Sequence, residues 1–279
     1  MSDTVPHVSA LVIYPVKSCA GIALSQVHFG HTGPDLDRRW MVVAEDDGEL
    51  LALTQRETPR LALAQPSLIG GELVLRAPGV GHLRVPIEDD RPATRTAMLR
   101  ADNLQVMDEG LEAAEWFGEL LDAEVRFVRL PNAVSRRVSS KYAPEPAYTS
   151  LTDGYPALLV SEESLFDLNE RLVERGSNPV EMRRFRPNIV VRGVSAFAED
   201  EWKHIRLGEL PFDVVKPCAR CAITTVDPAL GEVVDAREPL TTLATYRRLS
   251  PKGKVMFAQN VIHRAHGVVH VGDALTVVE

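Results

Sequence analysis

The residues with the widest chemical reach in this chain lie together at Lys216-Pro217-Cys218-Ala219-Arg220-Cys221, followed by Ala222 and the run Ile223-Thr224-Thr225-Val226. A Cys-x-x-Cys pair has several uses. In a dithiol redox site the pair opens a helix, whose N-terminal dipole lowers the pKa of the first thiol. Here β-branched residues follow and predict a strand, which weighs against that use. A structural zinc site needs two further ligands, and His263, His266 and His270 are candidates, at a distance far beyond finger-type spacing. In a third use one thiolate binds a metal or reactive centre, and the cationic neighbours Lys216 and Arg220 favour the deprotonated sulfur. Two small thiols packed beside a loop fit the local sequence equally well.

Whatever this segment does must be carried by an acidic globular protein. The 279 residues hold 31 Lys and Arg against 39 Asp and Glu, a net charge of −8, so no protein-wide positive field exists to hold nucleic acid. Cys19, Cys218 and Cys221 are the three cysteines, too few for a multi-bridge scaffold and one short of a four-thiolate iron–sulfur cluster. With 45% apolar and 25% charged residues the composition is that of a soluble globular chain long enough for two domains. The N-terminus carries Asp3 and no Lys or Arg before a short apolar run broken at Pro15 and Lys17, and no uncharged apolar stretch reaches about 18 residues. The expectation is a cytoplasmic, reducing compartment with neither membrane nor nucleic acid as partner.

The elements that must position these residues are mostly strands. Short β-like runs divided by Gly, Pro and Asp extend from Val8 to about Val106, among them Val8 to Tyr14, Ile22 to Phe29, Trp40 to Ala44 and Leu61 to Ile69. Asp108 is placed to cap a helix to about Leu121, with Leu111, Ala114, Phe117, Leu120 and Leu121 at helical spacing. Residues 131 to 150 read as a long basic loop. A strand at Ala157 to Val160 and a helix capped by Ser161 and ended by Gly176 follow. Further strands are predicted at Ile189 to Val191, Ile205 to Leu207, Phe212 to Val215, Ile223 to Val226, Val268 to Val271 and Leu275 to Val278. The division in sequence falls near residue 130, giving regions 1–130 and 131–279.

Six blocks in order carry a resemblance over nearly the whole chain. They are Ile13-Tyr14-Pro15-Val16-Lys17-Ser18-Cys19, Asp37-Arg38-Arg39-Trp40, Thr54-Gln55-Arg56 with Pro59, Arg184-Phe185-Arg186-Pro187-Asn188-Ile189-Val190, Glu199-Asp200-Glu201-Trp202, and Arg220-Cys221-Ala222-Ile223-Thr224-Thr225-Val226-Asp227-Pro228 with Gly231. Together they resemble the MOSC family, with its N-terminal β-barrel domain, and in particular the amidoxime-reducing component and its bacterial relatives. The resemblance implies a mixed α/β, strand-dominated fold: a MOSC β-barrel domain in 131–279 packed on a smaller N-terminal β-barrel-like domain in 1–130, with a cofactor at their junction.

That resemblance also implies a molybdenum cofactor, Mo-molybdopterin, whose metal takes Cys221 as its protein ligand, and it leaves Cys218 without a role. Lys17, Ser18, Arg38, Arg186, Asn188, Arg220 and Asn260 fall where similar proteins contact the cofactor. Near Asn260, relatives commonly carry Gly where this chain has Ala258. Asp153 matches an acidic residue near the metal, placed to steer protons or position substrate. Glu199 and Asp200 look like paired carboxylates but read as a structural turn beside Trp202. The implied activity is reduction of N-hydroxylated or N-oxygenated small molecules by oxygen-atom abstraction. It requires a separate electron-donor protein of ferredoxin, flavoprotein reductase or cytochrome b5 type. The alternative is a cofactor-binding, carrier or sulfur-transfer module without turnover of its own.

Overall fold

The computed structural model describes residues 5–89, 91–250 and 253–279. Its largest element is an eight-stranded sheet in the order Ile22–Leu24, His7–Ile13, Ile189–Arg192, Ala157–Ser161, Met256–His263, Leu210–Ala219, His204–Leu207, Leu275–Val277. Ala157–Ser161 and Ile189–Arg192 run parallel, joined by the helix Glu162–Glu174, and the other neighbours are antiparallel. One face of this sheet buries Val8, Leu11, Ile13, Leu159, Ile189, Phe212 and Val261 with Phe29. The other buries Leu158, Val160 and Val190 under Leu168 and Leu172 of the helix, with Phe185 and Phe257. Ser161 caps that helix, its hydroxyl accepting from Ser164 N at 3.1 Å, and Gly176 follows the end in the left-handed conformation that suits glycine.

The second body is a closed barrel of Arg95–Leu99, Asp102–Asp108, Arg126–Arg129, Trp40–Asp46 and Glu49–Ala52, beside the three-stranded sheet Gln65–Ile69, Glu72–Ala77, Val80–Pro86. The helix Leu111–Leu121 turns Ala113, Trp116, Phe117, Leu120 and Leu121 into a core with Trp40, Leu73, Leu83 and Phe127. A wholly buried Arg129 ties this body together. It is paired with Glu109 and donates to the carbonyls of Pro86 and Ile87, at 2.7 and 2.9 Å.

The strand-dominated class and the N-terminal barrel agree with the sequence reading, while several elements differ for identifiable reasons. The helix cap is Gly110; Asp108 instead accepts from Gly110 N at 2.9 Å, two residues too early to cap. Leu61–Leu63 belongs to a 3-10 turn, Pro59–Leu63, begun by a proline that cannot donate to a ladder. The expected strand at Ile223 to Val226 is mostly a 3-10 turn, Ala222–Thr225. Thr224 Oγ1 and Thr225 Oγ1 donate back to the carbonyls of Cys221 and Ala222, at 3.1 and 2.8 Å, and hold the chain curled. The loop at 131–150 carries one short ladder, Arg136–Arg137 with Tyr148–Thr149.

The opening residues do not stay with the barrel. His7–Ile13 and Ile22–Leu24 pair within the eight-stranded sheet, and Gln26–Gly30 pairs with Gly267–His270. Between these strands Val16 and Cys19 dip into the second body's core, and the first barrel strand begins only at Trp40, so Lys17, Ser18 and Arg38 lie where the chain passes between the two bodies.

Candidate functional site

At that passage lies a cleft with about 820 Å³ of space, part of it open to solvent. Lys17, Ser18, Arg38, Asp153, Arg186, Asn188, Arg220, Cys221 and Asn260 all line it, with Cys218, Thr54 and Arg56. Residues up to 243 positions apart in sequence therefore share one wall. His263, His266 and His270 do not line the cleft; His263 Nε2 donates to the Gly30 carbonyl at 2.6 Å.

Lys17 is 7% exposed, and its ammonium donates to the Leu151 carbonyl at 3.0 Å and to Asp153 Oδ1 at 2.8 Å. Burial lowers the lysine pKa, and the neighbouring carboxylate only partly restores it. The second oxygen of Asp153 pairs with Arg100 Nη2 at 2.8 Å. Burial acts to raise the Asp153 pKa, but Lys17 and Arg100 more than offset this and hold the carboxyl well below the usual carboxylate range. Asp153 is thus an anion at neutral pH, an acceptor and a clamp for Lys17, and not a proton donor.

Asn188, 2% exposed, makes four bonds within the protein. Nδ2 donates to Asp37 Oδ1 at 2.9 Å and to the Val12 carbonyl at 3.1 Å; Oδ1 accepts from Arg38 Nη1 at 3.0 Å and Leu158 N at 3.2 Å. These use the full capacity of an amide side chain. Asn188 thus lines the cleft with its amide spent inside the protein, and it fixes Arg38, which also donates to Asp37 Oδ2 at 2.5 Å and to the Arg186 carbonyl at 3.2 Å. Asn260 Nδ2 is likewise engaged, donating to the Lys216 carbonyl at 3.0 Å.

The guanidinium groups of Arg38 and Arg186 both lie against the Tyr14 ring, 4.4 and 4.2 Å from its centroid. Burial and the adjacent Arg38 push the Arg186 pKa down to about 10. Arg186 Nη1 donates to the Cys19 carbonyl at 2.5 Å, while Nη2 is buried without a partner. Arg220 Nε is also buried and unpartnered. Two buried cationic donors without acceptors, in one cleft, are costly unless a ligand supplies anionic oxygens. The donor set fits a phosphate-bearing cofactor, and Cys221, exposed at the start of the 3-10 turn, is an accessible soft ligand.

The backbone around the cleft is strained. Among the described residues nine outside glycine have left-handed φ, and five lie in the cleft or one contact behind it: Ser18 (66°), Arg38 (47°), Arg100 (59°), Arg186 (56°) and Ala258 (73°). Ala258 keeps the conformation that glycine would favour at this position. Glu199 sits away from the cleft, accepting from Ser161 N, Ser161 Oγ and Ser164 Oγ. Asp200 pairs with Arg247 and accepts from Gln259 Nε2. Both act as a structural turn. Sequence reasoning missed Arg100, which nothing but the fold brings to Asp153, and Tyr14 as the plate under two arginines.

The model of the MOSC N-terminal beta barrel domain matches residues 5–124, and that of the MOSC domain matches residues 147–276. The mitochondrial amidoxime reducing component 2 of Rattus norvegicus is 35% identical over 95% of this chain and 81% of its own length. The Homo sapiens component 2 is 35% identical over 95% and 82%. The Danio rerio component 1 is 34% identical over 95% and 83%. No helix among the described residues is long and apolar enough to cross a membrane. The chain belongs to the MOSC family, in its two-domain form with an N-terminal β-barrel, and is a member of the group that includes the mitochondrial amidoxime-reducing components.

Proposed function

We propose that this chain is a molybdenum cofactor-dependent oxidoreductase that reduces N-hydroxylated or N-oxygenated small molecules. The observation that carries the reading is the pairing of exposed Cys221 with the unpartnered guanidinium nitrogens of Arg186 and Arg220 in one cleft. The names of the relatives support the choice of substrate class. Cys221 would ligate the metal as a thiolate, and Arg186 and Arg220 would donate to the cofactor's phosphate. Lys17, held by Asp153, adds a fixed positive charge to the same wall. When bound, the cofactor supplies two-electron removal of an oxygen atom from substrate, the step that side chains alone do not perform. Asp153, ionised and half-exposed in the cleft lining, would accept a hydrogen bond from an N–OH group. Electrons come from a separate donor protein of ferredoxin, flavoprotein reductase or cytochrome b5 type.

The test is molybdenum content and turnover of an amidoxime to its amidine with reduced viologen dye. The wild type is expected to carry metal and turn over. Cys221→Ser is expected to lose both while melting at the wild-type temperature, and Cys218→Ser to do much less. Metal without turnover of any N-oxygenated compound would assign a carrier or sulfur-transfer role instead.

A further inference from the structure

Cys218 has no part in that reading, yet its sulfur is engaged. Arg220 Nη1 donates to Cys218 Sγ at 3.0 Å, and Arg220 Nη2 donates to the Phe185 carbonyl at 2.9 Å. The third donor position of this guanidinium, Nε, is the buried one without a partner. A guanidinium is a rigid planar fork, so fixing two of its corners fixes the direction of the third.

The spacing explains why sulfur meets guanidinium. Along an extended chain, residues i and i+2 share a face and i and i+3 do not. Cys218 lies in the strand Leu210–Ala219, and Cys221 is still extended, with φ −134° and ψ −177°. The pattern Cys-x-Arg-Cys therefore couples the first sulfur to the arginine and sends the second to the other side. The ladder is bulged at the same point. Pro217 pairs with Gln259 and Ala219 with Met256, so Phe257 and Ala258 oppose Cys218 alone, with Ala258 in the left-handed region. Such bulges re-aim a side chain.

We propose that Cys218 is a positioning residue: its sulfur, together with the Phe185 carbonyl, sets the Arg220 guanidinium so that Nε serves as a donor to the anionic group bound beside Cys221. This rests on the reading of the cleft as the site of a phosphate-bearing cofactor. It makes Cys218 no second metal ligand, and gives its sulfur a role besides the packing it makes against the core.

The experiment uses cofactor-free full-length protein and inorganic phosphate as probe, followed by calorimetric titration, with thermal melts as the control for folding. Wild type is expected to bind phosphate. Cys218→Ala is expected to weaken binding by about tenfold, the effect of one charge-assisted hydrogen bond. Cys218→Ser, whose hydroxyl also accepts, should bind close to wild type. The double variant Cys218→Ala/Arg220→Gln should bind no more weakly than Arg220→Gln alone, because both changes remove one contact. Cys218→Val, which fills the space without an acceptor, should behave as Cys218→Ala does and replaces it if the alanine variant does not fold. A wild type that binds no phosphate overturns the cleft reading itself. Phosphate binding that is unchanged in Cys218→Ala and Cys218→Val, or effects that add in the double variant, overturn the positioning role and leave the cleft reading standing. Loss of molybdenum from Cys218→Ser as complete as from Cys221→Ser would make Cys218 a ligand and also overturn it.

Discussion

Asp153 shows how a single side chain in this cleft ties charge to stability. Its carboxyl titrates below the usual range because Lys17 and Arg100, together, outweigh burial. A carboxylate depressed in the folded state contributes stability above its unfolded value of about 4 and loses it as the pH falls below that value. Asp153→Asn is therefore expected to be less stable than wild type at pH 7, with the two curves drawing together progressively as the pH falls below about 4 in urea titrations. Asp153 is half-exposed, so solvent screening keeps the gap small, and curves that stay parallel over this window would show that no ion pair is broken. The same carboxylate explains why Lys17, buried and of lowered pKa, can remain charged in a wall already crowded with arginines.

At the scale of elements, the cap of the helix Glu162–Glu174 concentrates several interactions on one hydroxyl. Ser161 Oγ accepts from Ser164 N, meets Ser164 Oγ at 2.7 Å and donates to Glu199 Oε2 at 3.0 Å. Ser161→Ala is expected to cost about 2 kcal/mol, a lost cap plus a buried carboxylate left short of a donor, read as a lower urea midpoint at unchanged slope. This cap and Gly176 were legible in the sequence because serine and glycine act there through local backbone geometry. The strand Met256–His263 was not. Its burial is nearly continuous, so no alternation marks it, and Gln259 and Asn260 interrupt the apolar run that a doubly covered strand would otherwise show. Their polar groups are met by Asp200 and by the Lys216 carbonyl, partners that exist only in the folded sheet. The cleft residues divide in the same way. The resemblance named all nine, seven of them inside the six blocks, but the internal spending of Asn188 on Asp37 and Val12 and the reach of Arg100 to Asp153 depend on partners that only the fold brings near.

For the molecule as a whole, the interleaving of the two regions matters more than their boundary in sequence. Without His7–Ile13 the strand Ile189–Arg192 becomes an unpaired edge, and the buried Leu11 and Ile13 leave the core that they share with Leu159 and Ile189. A fragment of residues 131–279 is thus expected to show no cooperative thermal transition in circular dichroism; a sharp melt would mean that the opening strands are dispensable. The contorted backbone at Ser18 has a different outcome, one that would unfold over generations. Ser18→Gly relieves a left-handed residue and is expected to raise stability by up to about 1 kcal/mol, measured by urea midpoint. Laboratory evolution rewarded only for heat resistance would accordingly drift toward glycine at this position, harvesting sturdier proteins at the expense of a side chain that lines the cleft.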